Sequence, residues 1–361
     1  MPAPLRIAFL CARLDSGGVA DYALTVGEAL SARGATVLTL DRSGAFPSEA
    51  LAACDRARID WIGLHFVSYG WARHGILRRH DIEQLRAACA GRRVALYLHE
   101  LWIGAAAGEP LKHRLIGALQ RRALLRLVAA LRPAVVLTSN PVYQALLARD
   151  GITSSVIPLP GNLPAPSDAD RREARAWLAA HDLGGPNPPD LAAVFGTIHP
   201  EWDAAGAVAG WLAHLARAGR SGAVLTLGRH GPSGRPRLDA LREKIPGLRL
   251  VSAGELPAAL LAGLLAECAF GLATSPWALI GKSGTAAAFL DAGLPVLVTR
   301  DDWRLRGHTP TPPPVPHPRL WKGSEPSSLD WSAFLASRTT PAPSLPAVAD
   351  TWLRLIPTVS P

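Results

Sequence analysis

The feature that most constrains this chain is an alternation of short apolar runs with helical stretches, and the fact that it occurs twice. In the first half, Arg6–Cys11, Thr36–Leu40, Trp61–Phe66, Val94–Leu98, Ala134–Thr138 and Ser154–Ile157 read as strands. Between them, Val19–Arg33, Asp81–Ala90, Leu111–Leu131 and Pro141–Arg149 carry apolar residues at the three- and four-residue spacing of a helix. Such repetition predicts parallel strands joined by right-handed crossovers. From Pro158 to Asp190 the texture changes. Seven prolines, the last of them Pro189, surround one polar helix near Arg171–His181, which reads as an interdomain linker. The alternation then restarts, with strands expected at Leu191–Phe195, Ala223–Leu227, Leu248–Ser252, Phe270–Thr274 and Val296–Thr299. Helices are expected at Asp203–Arg217, Arg237–Lys244, Pro257–Glu267 and Ser283–Ala292.

At 361 residues the chain exceeds what one hydrophobic core usually serves. The expectation is an α/β protein of two Rossmann-like domains facing each other across a cleft, with a ligand at the carboxyl ends of the strands. Its parts are an N-terminal domain at 1–163, a linker at 164–190, a C-terminal domain at 191–330 and a tail at 331–361. Residues from Arg304 to Pro346 are proline-rich and read as irregular. Pro346–Ile356 reads as a short helix with Trp352 and Leu355 on its apolar side, and packing back on the N-terminal domain is one arrangement for it.

Composition narrows the class. Apolar residues make up 48%, which fills a core and argues against disorder. Cys11, Cys54, Cys89 and Cys268 are far apart and form no CxxC pair, so neither a disulfide framework nor a zinc site is expected, and a reduced cytosolic protein is the simplest reading. Arg6 precedes an apolar run too short for an export signal, and the longest apolar candidate, Ala258–Ala266, stops at Glu267, far short of a membrane span. The net charge of +9 fits nucleic acid, an anionic membrane or a phosphate-bearing substrate. Its basic residues are spread out without a block, which makes nucleic acid the weakest of the three.

Four stretches coincide with one family. RIAFLCARLDSGGVADYALTVGEALSARGATVLTLD (6–41) resembles the opening of family 4 glycosyltransferases of the GT-B fold, and His99-Glu100 in ALYLHELW resembles that family's histidine after the fourth strand. AAVFGTIHPEW (192–202) stands where the donor-binding loop belongs, and GKSGTAAAFLDAGLPVLV (281–298) resembles the stretch that closes over the sugar nucleotide. The resemblance spans roughly residues 5–300. It implies a metal-independent, cofactor-free transfer of a sugar, of hexosyl type, from a nucleotide-diphosphate donor to an acceptor hydroxyl. The N-terminal domain holds the acceptor and the C-terminal domain the donor. A place in bacterial polysaccharide or glycoconjugate synthesis follows, in the cytoplasm or at the inner membrane face.

The residues themselves carry both functional and plain structural readings. Gly17-Gly18 exposes backbone amides at a helix start, or merely makes a tight turn. Asp21 contacts an acceptor hydroxyl, or favours the positive end of its helix. His99 ends a central strand beside the transferred sugar, and Glu100 is the nearest carboxylate able to serve as base; the bland readings are a satisfied buried histidine and a surface ion pair. On the donor side stand Gly196, Thr197, His199, Arg229, Gly254, Glu255, Lys282, Ser283, Gly284 and Thr285. Gly281-Lys282-Ser283-Gly284-Thr285 is not a P-loop, because Pro276 replaces the first glycine. It reads as a helix start whose amides and hydroxyls suit a diphosphate, or as a serine capping its own helix.

Two departures from the family stand out. Thr197, His199 and Glu201 replace the usual diphosphate-binding Arg and Lys, for which Arg229 or Lys282 are the substitutes at hand. Ile280 and Ala288 occupy the places of two glutamates eight positions apart. They motivate the alternative of a catalytically lapsed GT-B protein that binds a ligand or partners an active enzyme, and a third option, a sugar-nucleotide epimerase of the same fold. Lys112, Arg114, Arg121, Arg122 and Arg126 on Leu111–Leu131, set opposite Leu115, Leu119 and Leu127, leave room for weak peripheral membrane contact, though a solvated face is the commoner explanation.

Overall fold

The computed structural model describes residues 4–15, 17–323 and 329–356, so residues 1–3, 16, 324–328 and 357–361 of the expected domains and tail lie outside it. The chain divides into two units, one formed by residues 1–159, 304–312 and 345–361, the other by 160–303 and 313–344.

In the first unit, β1 (Arg6–Leu10), β2 (Thr36–Leu40), β3 (Trp61–Phe66), β4 (Arg93–Leu98), β5 (Val135–Thr138) and β6 (Ser155–Val156) form one sheet in the order β2-β1-β3-β4-β5-β6. Every pair is parallel. Parallel neighbours need crossovers, and α1 (Gly18–Ser31), α2 (Ser48–Arg56), α3 (Ser68–Trp71), α4 (Arg79–Ala88), α5 (Leu111–Leu131) and α6 (Pro141–Ala148) lie in those connections. Helices on both faces explain why β3 is buried along its whole length and carries no polar alternation.

The 21-residue α5 corrects one expectation. Gly117, Gln120, Ala123, Leu124, Leu127 and Leu131 form its buried stripe, and Gln120 fixes its rotation by donating to the His74 carbonyl (3.0 Å) and accepting from the Ile103 amide (3.1 Å). Leu115 and Leu119, placed opposite the basic residues by the sequence reading, therefore face solvent together with Leu111, on the same exposed side as Arg122 and Arg126.

In the second unit, β7 (Asp190–Phe195), β8 (Gly222–Leu227), β9 (Arg249–Gly254), β10 (Phe270–Ala273), β11 (Val296–Val298) and β12 (Leu320–Lys322) form a parallel sheet in the order β12-β11-β10-β7-β8-β9. It is flanked by α7 (Asp168–Ala180), α8 (Ala205–Arg217), α9 (Gly234–Lys244), α10 (Ala258–Glu267), α11 (Gly284–Asp291) and α12 (Trp331–Ala336). Within the expected linker, α7 is a packed helix. Ser167 caps it in a reciprocal pair with Asp170, and Ala174 and Leu178 enter the core beside Leu260, Leu261 and Leu264 of α10. The two helices touch at Gly263, where a Cβ would stand 2.5 Å from the Asp170 carbonyl oxygen. The stretch read as irregular contributes β12 and α12. Three-residue strands and six-residue helices are too short to show a period in sequence.

The last helix, α13 (Leu345–Leu355), belongs to the first unit. Trp352 is fully buried against Phe9 and Tyr97 and donates its indole N–H to the Tyr22 hydroxyl at 2.9 Å. Arg33 ties the helix down by bonding Asp350 (2.6 Å) and the Pro346 carbonyl (3.0 Å). Trp352→Ala is expected to destabilise this unit by about 3–5 kcal/mol, the usual cost of truncating a buried aromatic. Urea denaturation followed by tryptophan fluorescence measures it, and an unchanged midpoint would mean that α13 is not part of this core.

Candidate functional site

Counted outward from β7, the second sheet runs β7-β8-β9 one way and β10-β11-β12 the other, so the winding reverses between β7 and β10. Such a switch point opens the strand-end loops on either side of it, and this is where doubly wound sheets take ligands. The loops concerned are 196–202 after β7 and 274–283 after β10. The Thr274 hydroxyl donates to the Thr197 carbonyl at 2.7 Å and couples them. His230 lies within 3.1 Å of both the Gly196 carbonyl and the Thr226 hydroxyl, which holds the β7 end from the other side. Gly196 has φ +74, and a Cβ on it would stand 2.8 Å from Cγ2 of Thr285. Only glycine lets this backbone lie against the first turn of α11.

The structure thus brings Gly196, Thr197, His199, Lys282, Ser283, Gly284 and Thr285 to one edge of one sheet. Lys282 ends a 3-10 turn, Trp277–Lys282, that leads into α11. The Ser283 hydroxyl accepts from the Ala286 amide at 3.3 Å and lies 3.1 Å from the Thr285 hydroxyl, so Ser283 caps its own helix. Thr197 is exposed and His199 half-buried. Partial burial pulls the His199 imidazole below its ordinary value, with further help from Arg300 and Lys282 and against Glu201 and Asp302, so the ring is neutral at pH 7. Trp202 is fully buried in the core under α8 and belongs to packing.

Arg300 was not singled out from sequence. It follows β11 and is only 7% exposed. Its guanidinium grips Asp302 at 2.9 and 2.7 Å, reaches Glu201 at 3.3 Å and donates to the Thr274 carbonyl at 3.4 Å. The one local signal was its position at the end of an apolar strand run, because nothing in the spacing ties it to Glu201. Arg229 and Glu255 sit at the ends of β8 and β9, where Gly228 donates to the Gly254 carbonyl at 2.7 Å, and they pair with each other at 3.4 Å while largely exposed. Such a pair contributes little to stability.

In the first unit, Gly17 adopts φ +102 at the start of α1, and neither it nor Gly18 has an atom within 4 Å of a Cβ position. Asp21 is exposed in the first turn, where its charge favours the positive helix end and opposes an anion there. His99 follows β4 and is nine-tenths buried, while Glu100 beside it is exposed. Inside, Nε2 of His99 lies 2.9 Å from Nδ1 of His65, a fully buried residue of β3 that the sequence reading passed over. The two are 34 positions apart and meet only because β3 pairs with β4. Phe9, Tyr22, Tyr97 and Trp352 surround His65 with ring centroids 4.7 to 6.0 Å away. Burial pulls the His65 imidazole down to about 3 and His99 well below its ordinary value.

Among the described residues no group of three or more His, Cys, Asp or Glu is arranged to hold a metal ion, and no helix is long and apolar enough to cross a membrane. All four cysteines are buried and unpaired as disulfides.

No protein-family model and no curated protein sequence matches this chain. Solved structures do. A crystal structure of Anabaena Alr3699/HepE in complex with UDP and glucose is 15% identical, covers 96% of this chain and 95% of that one, and superposes with a TM-score of 0.52. The same Anabaena protein in complex with UDP-glucose gives 14% identity, 96% and 94% coverage and a TM-score of 0.50. At this identity the likeness establishes the fold: two Rossmann-like units of the GT-B class.

The histidine pair makes stability depend on pH. In the unfolded chain each imidazole takes up a proton near pH 6.5, whereas in the fold both resist it. Below that pH the unfolded state binds more protons, so stability falls as the pH drops from 6.5 toward 3 by about 1.4 kcal/mol per pH unit for His65, and His99 acts in the same direction. Denaturant midpoints measured from pH 7.5 to 4.5 are expected to fall more steeply for the native chain than for His65→Asn. Parallel profiles would show that His65 is not held neutral.

Proposed function

We propose that this chain is a glycosyltransferase, family 4-like and of hexosyl type, moving a sugar from a nucleotide-diphosphate donor to an acceptor hydroxyl. The observation that carries the reading is the convergence, at the switch point of the second sheet, of the close-lying Gly196 backbone with Lys282 and the first amides of α11. Exposed amides at a helix start, reinforced by a lysine, suit a diphosphate. They stabilise the charge that grows on the leaving nucleotide as the glycosidic bond breaks, without a metal ion. The similar Anabaena protein, crystallised with UDP and glucose, makes a uridine diphosphate sugar the first donor to try.

The remaining roles follow from chemistry. Ile280 and Ala288 are buried and apolar, and Asp291 is engaged with the Gly161 amide and the Ser344 hydroxyl, so that segment offers no carboxylate to a sugar or ribose hydroxyl. Glu201 and Asp302, both held by Arg300 beside His199, are the acceptors we assign instead. In the first unit, Gly17, Gly18 and Asp21 face the acceptor, with Glu100 as the carboxylate that takes its proton. The alternative, a ligand-binding protein without turnover, draws on the two carboxylates that neutralise Arg300 where the diphosphate needs positive charge.

Leu111, Leu115 and Leu119 are 65%, 60% and 54% exposed along α5, with Lys112, Arg114, Arg122 and Arg126 exposed around them. Exposed leucines rimmed by cations suit weak contact with an anionic membrane from the cytoplasmic side. Leu115→Glu with Leu119→Glu is expected to abolish co-sedimentation with anionic vesicles; no binding by the native chain would sink this contact.

Lys282→Ala is expected to weaken binding of UDP about tenfold or more, the loss of one charge-assisted contact. Gly196→Ala should weaken it further, by forcing a Cβ toward Thr285. Calorimetry with a panel of nucleoside diphosphates, followed by mass spectrometry of products, tests the reading. Binding without transfer supports the alternative, and indifference to every diphosphate overturns the donor site itself.

A further inference from the structure

One proton must lie between Nδ1 of His65 and Nε2 of His99, which are 2.9 Å apart, and the opposite nitrogen of His65 decides which ring owns it. Nε2 of His65 is buried and has no hydrogen-bond partner. If that nitrogen carried the proton, a donor would be buried among aromatic rings without an acceptor, the rarer and costlier defect. If His65 carries its proton on Nδ1 instead, the unmatched atom is only a lone pair. The groups packed on the rings do not disturb this choice. The Tyr22 hydroxyl accepts from Trp352, the Tyr97 hydroxyl donates to the Ile157 carbonyl, and burial keeps both phenols neutral. Phe9 meets His65 edge-on.

We propose that His65 is a positioning residue: its Nδ1–H donates to Nε2 of His99, which fixes His99 as the Nδ1–H tautomer and presents a hydrogen-bond donor at the carboxyl end of β4. Each imidazole is neutral and carries one proton, so with Nε2 of His99 accepting, its proton sits on Nδ1. His99 then has no lone pair to spare for a substrate proton. The inference rests on the proposed transferase for its consequence: His99 serves as a hydrogen-bond donor to a substrate oxygen, and the acceptor's proton goes to a carboxylate.

The test is long-range proton–nitrogen correlation on the full chain labelled with 15N-histidine. For His99 it is expected to show a protonated Nδ1 and an unprotonated Nε2 at pH 7; the reverse pattern overturns the proposal. The amide nitrogen of Asn overlies Nδ1 of a histidine, so His65→Asn is expected to keep that pattern. His65→Gln and His65→Leu, which lack a donor there, are expected to lose it. Retention of the Nδ1–H form in either would show that His65 does not set it, and the Asn and Gln variants decide the matter if the leucine variant does not fold. The spectrum is recorded without any nucleotide sugar, so a chain that transfers nothing still gives an answer. Conversely, the expected tautomer in a chain that binds no nucleoside diphosphate would sink the transferase and leave the histidine pair standing. Where transfer is measurable, kcat/KM is expected to fall about tenfold in His65→Gln and to stay near native in His65→Asn, the effect of one lost ligand contact.

Discussion

The geometry of both candidate sites depends on the pairing of parallel strands. A parallel pair cannot be closed by a tight turn, so each strand is followed by a crossover, and all strand-to-helix loops of a sheet gather at its carboxyl edge. Both sheets here obey this without exception among the described strands. The gathering brings His65 to His99 in one unit and Thr274 to Thr197 in the other. The residues involved are distant in sequence and share no local motif.

At the edge of the second sheet, opposite side-chain charges stand close together. Lys282 and Arg300 supply two cations near His199, but Arg300 is held by Glu201 and Asp302. The side chains grouped there set two cations against two carboxylates, and the start of α11 lies against the close-approaching Gly196 backbone. Ser283, bonded to the Ala286 amide, preserves the geometry of that helix start. A net charge of +9 across the chain therefore gives no guide to the charge at this edge.

The first unit is organised around a cluster of buried aromatic and polar groups linked by hydrogen bonds. Trp352 donates to Tyr22, Tyr97 to the Ile157 carbonyl, and the two histidine rings meet nitrogen to nitrogen at 2.9 Å. Because α13 supplies Trp352, a residue far along the sequence packs near His65, the ring that meets His99.

The sequence by itself determined the kind of fold: two runs of strand–helix alternation, hence two doubly wound sheets, with Gly196, His99 and Ser283 at strand or helix ends. Those properties are local, since apolar period and turn chemistry are written within a dozen residues. Only the tertiary structure decided strand order, and with it every contact between loops. It paired Arg300 with Glu201 and His65 with His99, turned Leu115 and Leu119 to solvent because Gln120 fixes the rotation of α5, and drew α7 out of the linker into a core. Strand order is a choice among non-local pairings that all satisfy the same local pattern, so no spacing along the chain encodes it.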